Sequence, residues 1–570
     1  MTWTDADRLL ARTVRSGWAW NAALLTLNLC RSAAAIALPA LVAAAIDERL
    51  TGSGDTALLR LTALVGLLLL TEVANQLIAT WCVNSLVLDL RRRFLQHVLL
   101  LGVRDRGRFA GGDLTSRLLT NVTEAASVVP LFTVWASSLL VSGGALVALC
   151  LIDLRLAVAF LVGAPLATLM IRAFVGRISP LLTTYLAIQG RISGRLVEVL
   201  TGIRTVRAAG TESQEIDRVL AELPGLHETG RDSWNLQGRL NLRAALLMPL
   251  IQVAVLGTAG YALVGGDITP GRLTAAAGYA GMALGLLSQA NMFMALAQAR
   301  AGARRVQEVL SVPVTRHGDR TLPAGPGELV FENVTVVGPD GPVLDGIDLR
   351  VPGGGTIAVV GASGSGKSTL ASVAGRLIDP DEGRVLLDGV PLRELSAGAL
   401  ASAVGWAFER PSYLAGTFAE AIRFGAAPDR TREAAMAAQA DLFIGRLPDG
   451  YLTPCASTPL SGGEQQRLGL ARGLAHQGRL LIMDDALSSV DSVTELRICQ
   501  AVAARTDLTR LLVTHKLSVA ARADLVAWLD QGRIRALAPH EELWRVADYR
   551  RLFQPGPEDH RREERELSRA

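Results

Sequence analysis

The sequence predicts a membrane all-α domain, with about six transmembrane helices and long cytoplasmic extensions, followed by an α/β domain built around a P-loop. Three observations predict this. Apolar residues make up 50% of the 570 residues, charged residues only 19%, and mean hydropathy is +0.32, whereas soluble domains carry about 25% charged residues. The hydrophobicity is concentrated ahead of a Pro/Gly-containing stretch, Ser311–Gly327. After that stretch comes TIAVVGASGSGKSTL, an apolar run leading into a phosphate-binding loop.

The composition excludes disorder for most of the chain. Basic and acidic residues are nearly balanced, 57 against 53, so a nucleic-acid partner is not expected despite a pI of about 8.9. Only Lys367 and Lys516 are lysines among the basic residues. Cys30, Cys82, Cys150, Cys455 and Cys499 are scattered without disulfide or zinc spacing, and reduced thiols are expected.

Apolar runs near the ~20 residues a bilayer requires lie near Trp18–Ile46, Ala57–Val83, Ser127–Ile152, Leu156–Arg177, Leu242–Val264 and Leu273–Ala297. The first follows Arg8, Arg12 and Arg15 but is too long for a signal sequence and lacks a convincing cleavage site, so it reads as an anchor. The short breaks near Asp47–Asp55, Asp153 and Gly265–Arg272 hold few arginines. The two long breaks are rich in them: Arg91, Arg92, Arg93, Arg104, Arg106, Arg108 and Arg117, then Arg177, Arg191, Arg195, Arg204, Arg207 and Arg218. Both long breaks are therefore expected in the cytoplasm with the N-terminus, their helical periodicity carrying the helices beyond the bilayer. The expected division is a transmembrane domain over 1–312, a linker over 313–326, an ATP-binding domain over 327–553 and a charged, disordered tail over 554–570.

Within the spans, Asn21, Asn28 and Arg31 share one helical face, as do Glu72, Asn75 and Gln76. Ionisable groups in spans are costly and point to a pair or to a polar cavity. Arg31 and Glu72 fall at similar depths and can pair; Gln289, Asn291 and Gln298 on the sixth span fit either a pair or a lining for an amphiphilic or peptide-like substrate.

In the second part, the strand Thr356–Val360 leads into Gly361, then Gly366-Lys367-Ser368 and a helical pattern. Glycines let backbone N–H groups approach phosphates, Lys367 reaches the β/γ-phosphates and Ser368 would ligate Mg²⁺. Further on, PLSGGEQQRLGLARGL opens a helix at Ser461, with Gly462 and Gly463 freeing N–H groups for another phosphate contact. RLLIMDDALSSVD reads as an apolar strand ending in Asp484 and Asp485, a Mg²⁺ carboxylate and its neighbour, and LTRLLVTHKLS as a second strand leading to His515.

This set, in this order, resembles the ATPase domain of ABC transporters. Behind six spans it is similar to a half-transporter of the exporter type, a resemblance that extends to AGGDLTSRLLTNV, EVLTGIRTVRAAGTES and DLVAWLDQGRIRALAPHEEL. The resemblance implies two ATPase domains closing face to face, each ATP lying between one P-loop and the other subunit's signature. It implies that Gly361, Ser363, Gly364, Ser365, Gly366, Lys367, Ser368 and Thr369 bind phosphate and Mg²⁺, and that Asp484 is the Walker B carboxylate. It makes His515 the switch histidine, places Asp491 in the D-loop, and assigns Leu460–Glu464, including Ser461, Gly462 and Gly463, to the partner's ATP.

Several positions depart from the family pattern. Asp485 stands where the general base is glutamate, one methylene shorter, and ~1 Å of misplacement costs on the order of 10²-fold in rate. Glu409 replaces the Q-loop glutamine that touches Mg²⁺, and Gly338 falls where an aromatic stacks on adenine. Glu464 replaces the signature glutamine, and TPCASTP ahead of it is short and lacks a glutamate. Because Gly338, Glu409 and Asp485 surround one site, the favoured expectation is a heterodimer with a degenerate site, exporting a peptide or secondary metabolite across the cell membrane. The alternatives are a homodimeric lipid or multidrug exporter, a siderophore importer on the same fold, and an ATP-binding regulatory subunit.

Overall fold

The structure is a computed structural model and describes residues 5–553 apart from 17, 53–55, 286–289, 415, 425, 427–429, 457 and 477. The expected disorder from Gln554 onward and the position of Gln289 lie outside the described residues, as does the side chain of Asn291. The chain forms two units, one of Met1–Leu99 with Phe109–Pro313, the other of Leu100–Arg108 with Val314–Ala570.

Helices build the first unit. They are α1 (Asp5–Ser16), α2 (Trp18–Thr51) and α3 (Thr56–Leu100), then the short α4 (Val103–Arg106), which belongs to the second unit, and α5 (Gly111–Ser116). A π-turn over Arg117–Asn121 leads to α6 (Val122–Ala126), α7 (Val128–Ile152), α8 (Leu154–Thr201), α9 (Ile203–Ala209) and α10 (Glu212–Leu220). Three more follow: α11 (Leu223–Val264), α12 (Pro270–Leu284) and α13 (Ala290–Leu310). By length and composition, four helices among the described residues can cross a membrane, and Leu154–Leu166 adds a shorter apolar stretch at the start of the 48-residue α8. Side chains such as Leu69, Leu151 and Val264 point outward, while Ala145, Leu149, Leu156, Val255, Ala276 and Ala280 are buried between helices. Outward apolar side chains, and inward ones that mix alanine with leucine and valine, suit a bundle bathed in lipid.

Local chemistry fixes the helix ends. Asp153 caps α8 by accepting the Arg155 N–H at 2.8 Å, and Thr269 precedes Pro270 to cap α12. Asp47 accepts from Thr269 Oγ1 at 2.6 Å and from the Gly271 N–H at 2.9 Å. A Cβ on Gly271 would lie 2.2 Å from the Ala43 carbonyl oxygen, so only glycine lets α12 approach α2 this closely. Arg117, in the AGGDLTSRL stretch, is nearly buried and bridges Asp113, the Arg305 carbonyl and Glu308, holding the π-turn against α13.

The second unit carries two sheets. Strands β1 (Leu329–Gly338), β2 (Gly341–Val351), β3 (Thr356–Val360), β4 (Glu382–Leu387) and β5 (Val390–Pro391) are followed by β6 (Val404–Phe408), β7 (Leu480–Asp484), β8 (Thr509–Val513), β9 (Leu525–Asp530) and β10 (Arg533–Ala538). An antiparallel sheet runs β2-β1-β4-β5, and a six-stranded sheet runs β10-β9-β3-β8-β7-β6, parallel except at β10. The central strands are almost wholly apolar because helices cover both faces. Helix α14 (Lys367–Ala374) follows β3, and α15 (Ala397–Ala403), α16 (Phe418–Arg423), α17 (Thr431–Ala437), α18 (Asp441–Ile444), α19 (Gly462–Ala475) and α20 (Ser492–Ala503) fill the connections. Strands β3, β7 and β8 are in parallel register, with Val359 and Asp484 both opposite Val513. Their carboxyl ends therefore deliver Gly361, Asp485 and His515 to one edge, where open α/β sheets bind ligands.

Candidate nucleotide-binding site

The loop between β3 and α14 is shaped by close backbone approaches. A Cβ on Gly361 would lie 2.2 Å from the Leu529 carbonyl oxygen, and one on Gly366, at φ +101°, 2.7 Å from that of Val343. Gly364 takes φ +78°, Ser363 is exposed, Thr369 sits in the first turn of α14, and the buried Ser365 hydroxyl has no hydrogen-bond partner. Lys367 Nζ folds back to donate to the carbonyls of Gly361 at 2.9 Å and Ala362 at 2.8 Å. Burial pushes its pKa down, against the pull of Asp485 and Asp484.

Ser368 Oγ donates to Asp484 Oδ1 at 3.0 Å. Burial raises the Asp484 pKa, the Ser368 hydrogen bond opposes this, and the charges of Asp485 and Glu409 add to the rise. Asp485 sits just beyond β7 at φ +47° and donates its N–H to the Val513 carbonyl at 3.1 Å. Its Oδ2 lies 3.3 Å from His515 Nε2. Burial raises its pKa too, while His515 and Lys367 pull it down. A satisfied lysine, an unpartnered buried hydroxyl and two carboxylates that gain by meeting a cation fit a phosphate group carrying a divalent ion.

Five of the residues singled out from the sequence, Lys367, Ser368, Asp484, Asp485 and His515, thus meet at one edge. Glu409 follows β6, its half-exposed carboxylate 3.8 Å from Arg410 Nε. Gly338 ends β1 opposite Gly341, and a Cβ there would lie 2.8 Å from Val343 Cγ2, so no ring fits without displacing Val343. The signature residues lie elsewhere. Ser461 caps α19, and Glu464 Oε2 accepts from the Ser461 N–H at 2.9 Å and from its Oγ at 2.7 Å, which lowers the Glu464 pKa. Gly462 and Gly463 lie against Ser489; a Cβ on Gly463 would be 2.8 Å from the Ser489 carbonyl oxygen. Asp491 caps α20 by accepting the N–H groups of Thr494 at 3.0 Å and Val493 at 3.2 Å, and these bonds hold its carboxyl low.

Two residues not assigned a role from the sequence join these parts. Gln466, 3% exposed, donates to the Glu409 carbonyl at 3.0 Å and Ser488 Oγ at 2.7 Å, and accepts the Ser489 N–H at 2.8 Å. Lys516 Nζ donates to the Val490 carbonyl and Glu495 Oε2, each at 2.8 Å, tying the residue after His515 to the loop before Asp491. Lysine scarcity was the one available signal for Lys516; Gln466 had none.

In the first unit, a cavity of about 650 Å³ is lined by Arg31, Ser32, Leu68, Glu72, Ser137 and Met282 among others. Arg31 Nη1 pairs with Glu72 Oε2 at 3.0 Å, Asn28 donates to Asn75 Oδ1 at 3.0 Å, and the Ser32 and Ser137 hydroxyls meet at 2.9 Å. Gln76 donates to Glu72 at 3.1 Å, and Asn21 accepts from Cys82 Sγ at 3.8 Å.

Comparison with known proteins agrees with this geometry. The family model described as ABC transporter matches residues 344–488, and that described as ABC transporter transmembrane region matches residues 22–287. The ABC transporter ATP-binding protein RamA of Streptomyces coelicolor is 42% identical over 547 residues, 95% of this chain and 86% of its own. A multidrug efflux ATP-binding/permease protein of Mycobacterium tuberculosis is 38% identical over 64% of this chain, which spans only 32% of that protein. A fatty acid ABC transporter ATP-binding/permease protein of Mycobacterium bovis is 32% identical over 76% of this chain and 70% of its own. The fold matches that of a bacterial Atm1-family ABC exporter solved with ATP bound, with a TM-score of 0.77, 23% identity, and coverage of 95% of this chain and 98% of that one. The chain belongs to the ABC transporter family: a membrane-spanning region and an ATP-binding, ATP-hydrolysing domain are fused in one chain, in the fold of an ABC exporter.

Proposed function

We propose that this chain is the degenerate-site half of a heterodimeric exporter in the cell membrane, with its N-terminus and ATPase domain in the cytoplasm. The observation that carries this reading is the clustering of Gly338, Glu409 and Asp485 around a P-loop whose Lys367, Ser368 and Asp484 follow the family pattern. Gly361–Thr369 would bind the phosphates, and Ser368 and Asp484, with Glu409 beside them, would hold Mg²⁺. The ion would neutralise phosphate charge. Asp485 would be the base, one methylene shorter than the family's glutamate, with its carboxylate 3.3 Å from His515. Ser461–Glu464 and Asp491, which hydrogen-bond within the starts of their own helices, would serve the ATP on the partner.

The cavity beside Arg31 and Glu72 combines an ion pair and hydroxyls with Leu68 and Met282, which suits an amphiphilic or peptide-like substrate such as a secondary metabolite. The multidrug and fatty acid transport named for two relatives is compatible with an amphiphile. A homodimer whose Asp485 works slowly is the second reading, favoured by the same His515 contact.

ATP hydrolysis by this chain alone in nanodiscs tests the choice. Negligible turnover that Asp485→Glu raises about tenfold or more, and that Lys367→Ala abolishes, is expected of the degenerate half. Turnover of roughly 1 s⁻¹ or above in the unaltered chain would establish the homodimer instead.

A further inference from the structure

Gly338 leaves the purine base without an aromatic neighbour at the end of β1, and a cation is held there. Helix α4 lies in the first arginine-rich cytoplasmic loop, within the segment Leu100–Arg108 that belongs to the ATPase unit. It is anchored by the Thr315 N–H, which donates to the Leu100 carbonyl at 3.2 Å. From α4, Arg104 Nη1 reaches Asp381 Oδ2 at 3.1 Å, and Nη2 donates to the Val337 carbonyl. Asp381 Oδ2 also accepts the Val337 N–H at 2.7 Å. Both backbone groups of the residue before Gly338 are therefore clamped by one ion pair. From Gly338 the path to the phosphates is short, because Val343 fills the space a Gly338 side chain would take and its carbonyl abuts Gly366 of the P-loop. Hydrogen bonds at two guanidinium nitrogens fix the plane, and the side chain remains 42% exposed.

We propose that Arg104 binds the nucleotide base, its guanidinium plane serving as the stacking surface that Gly338 lacks. A planar, weakly hydrated guanidinium stacks on nucleobases where an ammonium does not. The cytoplasmic loop thereby contributes directly to nucleotide affinity and to preference for a purine base. The inference rests on the P-loop roles proposed above, and the experiment separates the two.

The full chain in nanodiscs is titrated with ATP and with inorganic tripolyphosphate, which has no base. Arg104→Ala is expected to weaken ATP binding about 5- to 30-fold and to leave tripolyphosphate within about twofold. Arg104→Tyr should restore ATP affinity and Arg104→Lys should not. Equal losses for both ligands, no loss for either, or full function with lysine would overturn the base contact. Lys367→Ala should abolish binding of both ligands; tripolyphosphate binding that survives it would sink the P-loop assignment on separate grounds.

Discussion

Asp485 combines a short carboxylate with a left-handed backbone, a conformation in which aspartate is enriched among non-glycine residues. Lengthening it to glutamate is expected to extend the carboxylate of the proposed base by one methylene while adding backbone strain on the order of 1 kcal/mol. Gln466 is the opposite kind of residue, far from reacting atoms but joined to three segments. Gln466→Leu is expected to cost about 2 kcal/mol of stability, because buried partners lose their hydrogen bonds, and to lower turnover of the assembled dimer with little change in ATP affinity. Thermal unfolding and a separation of kcat from KM would check this; a change confined to KM would contradict it. Lys367, Ser368 and Asp484 were legible because each follows from a local strand-and-loop pattern. Gln466 was not, since its partners Glu409 and Ser489 lie 57 and 23 residues away and meet only once β6, α19 and the loop before α20 have packed.

Among the elements, α2 and α3 are joined by polar contacts in a bundle whose core is largely apolar. The expectation that Arg31 and Glu72 share a depth is met by their 3.0 Å contact, and the same pair lines the cavity. Their side chains remain 31% and 46% exposed, so removing one does not strand a fully buried charge in the other. Arg31→Ala and Glu72→Ala are each expected to fold, to retain basal ATPase and to lose most transport. Expression that collapses in either single variant and recovers in the double would show a purely structural pair. Helices longer than a span requires were readable from periodicity, and α3 runs to Leu100 and α8 to Thr201. The π-turn at Arg117 was not readable, because an extra residue per turn leaves no mark in a hydrophobic pattern and depends on Glu308 and the Arg305 carbonyl.

At the scale of the whole molecule, the ATPase unit holds two neighbouring, partly buried carboxylates at the edge of its sheet. Burial raises the pKa of both Asp484 and Asp485 above the ordinary 3.8. The folded chain then holds these protons more tightly than the unfolded chain, so their contribution to stability is fullest below that value and is lost as pH rises through the raised ones. An Asp484→Asn, Asp485→Asn double variant without nucleotide should thus melt above the parent at pH 8, with the difference shrinking as pH falls toward the ordinary 3.8. A gap that widens as pH falls would refute the sign.

Lys367 and Lys516 are the only lysines in the chain. The ammonium of the first is folded onto its own loop, and that of the second is engaged by Val490 and Glu495. Apart from the terminal amine, reagents that acylate primary amines therefore meet only one buried lysine and one partly exposed, hydrogen-bonded lysine. Labelling at neutral pH should proceed slowly, and adducts at Lys367 would fall in the proposed nucleotide site. Amine acylation, usually indiscriminate, becomes on this protein a footprint of the ATP site, readable by mass spectrometry as occupancy changes.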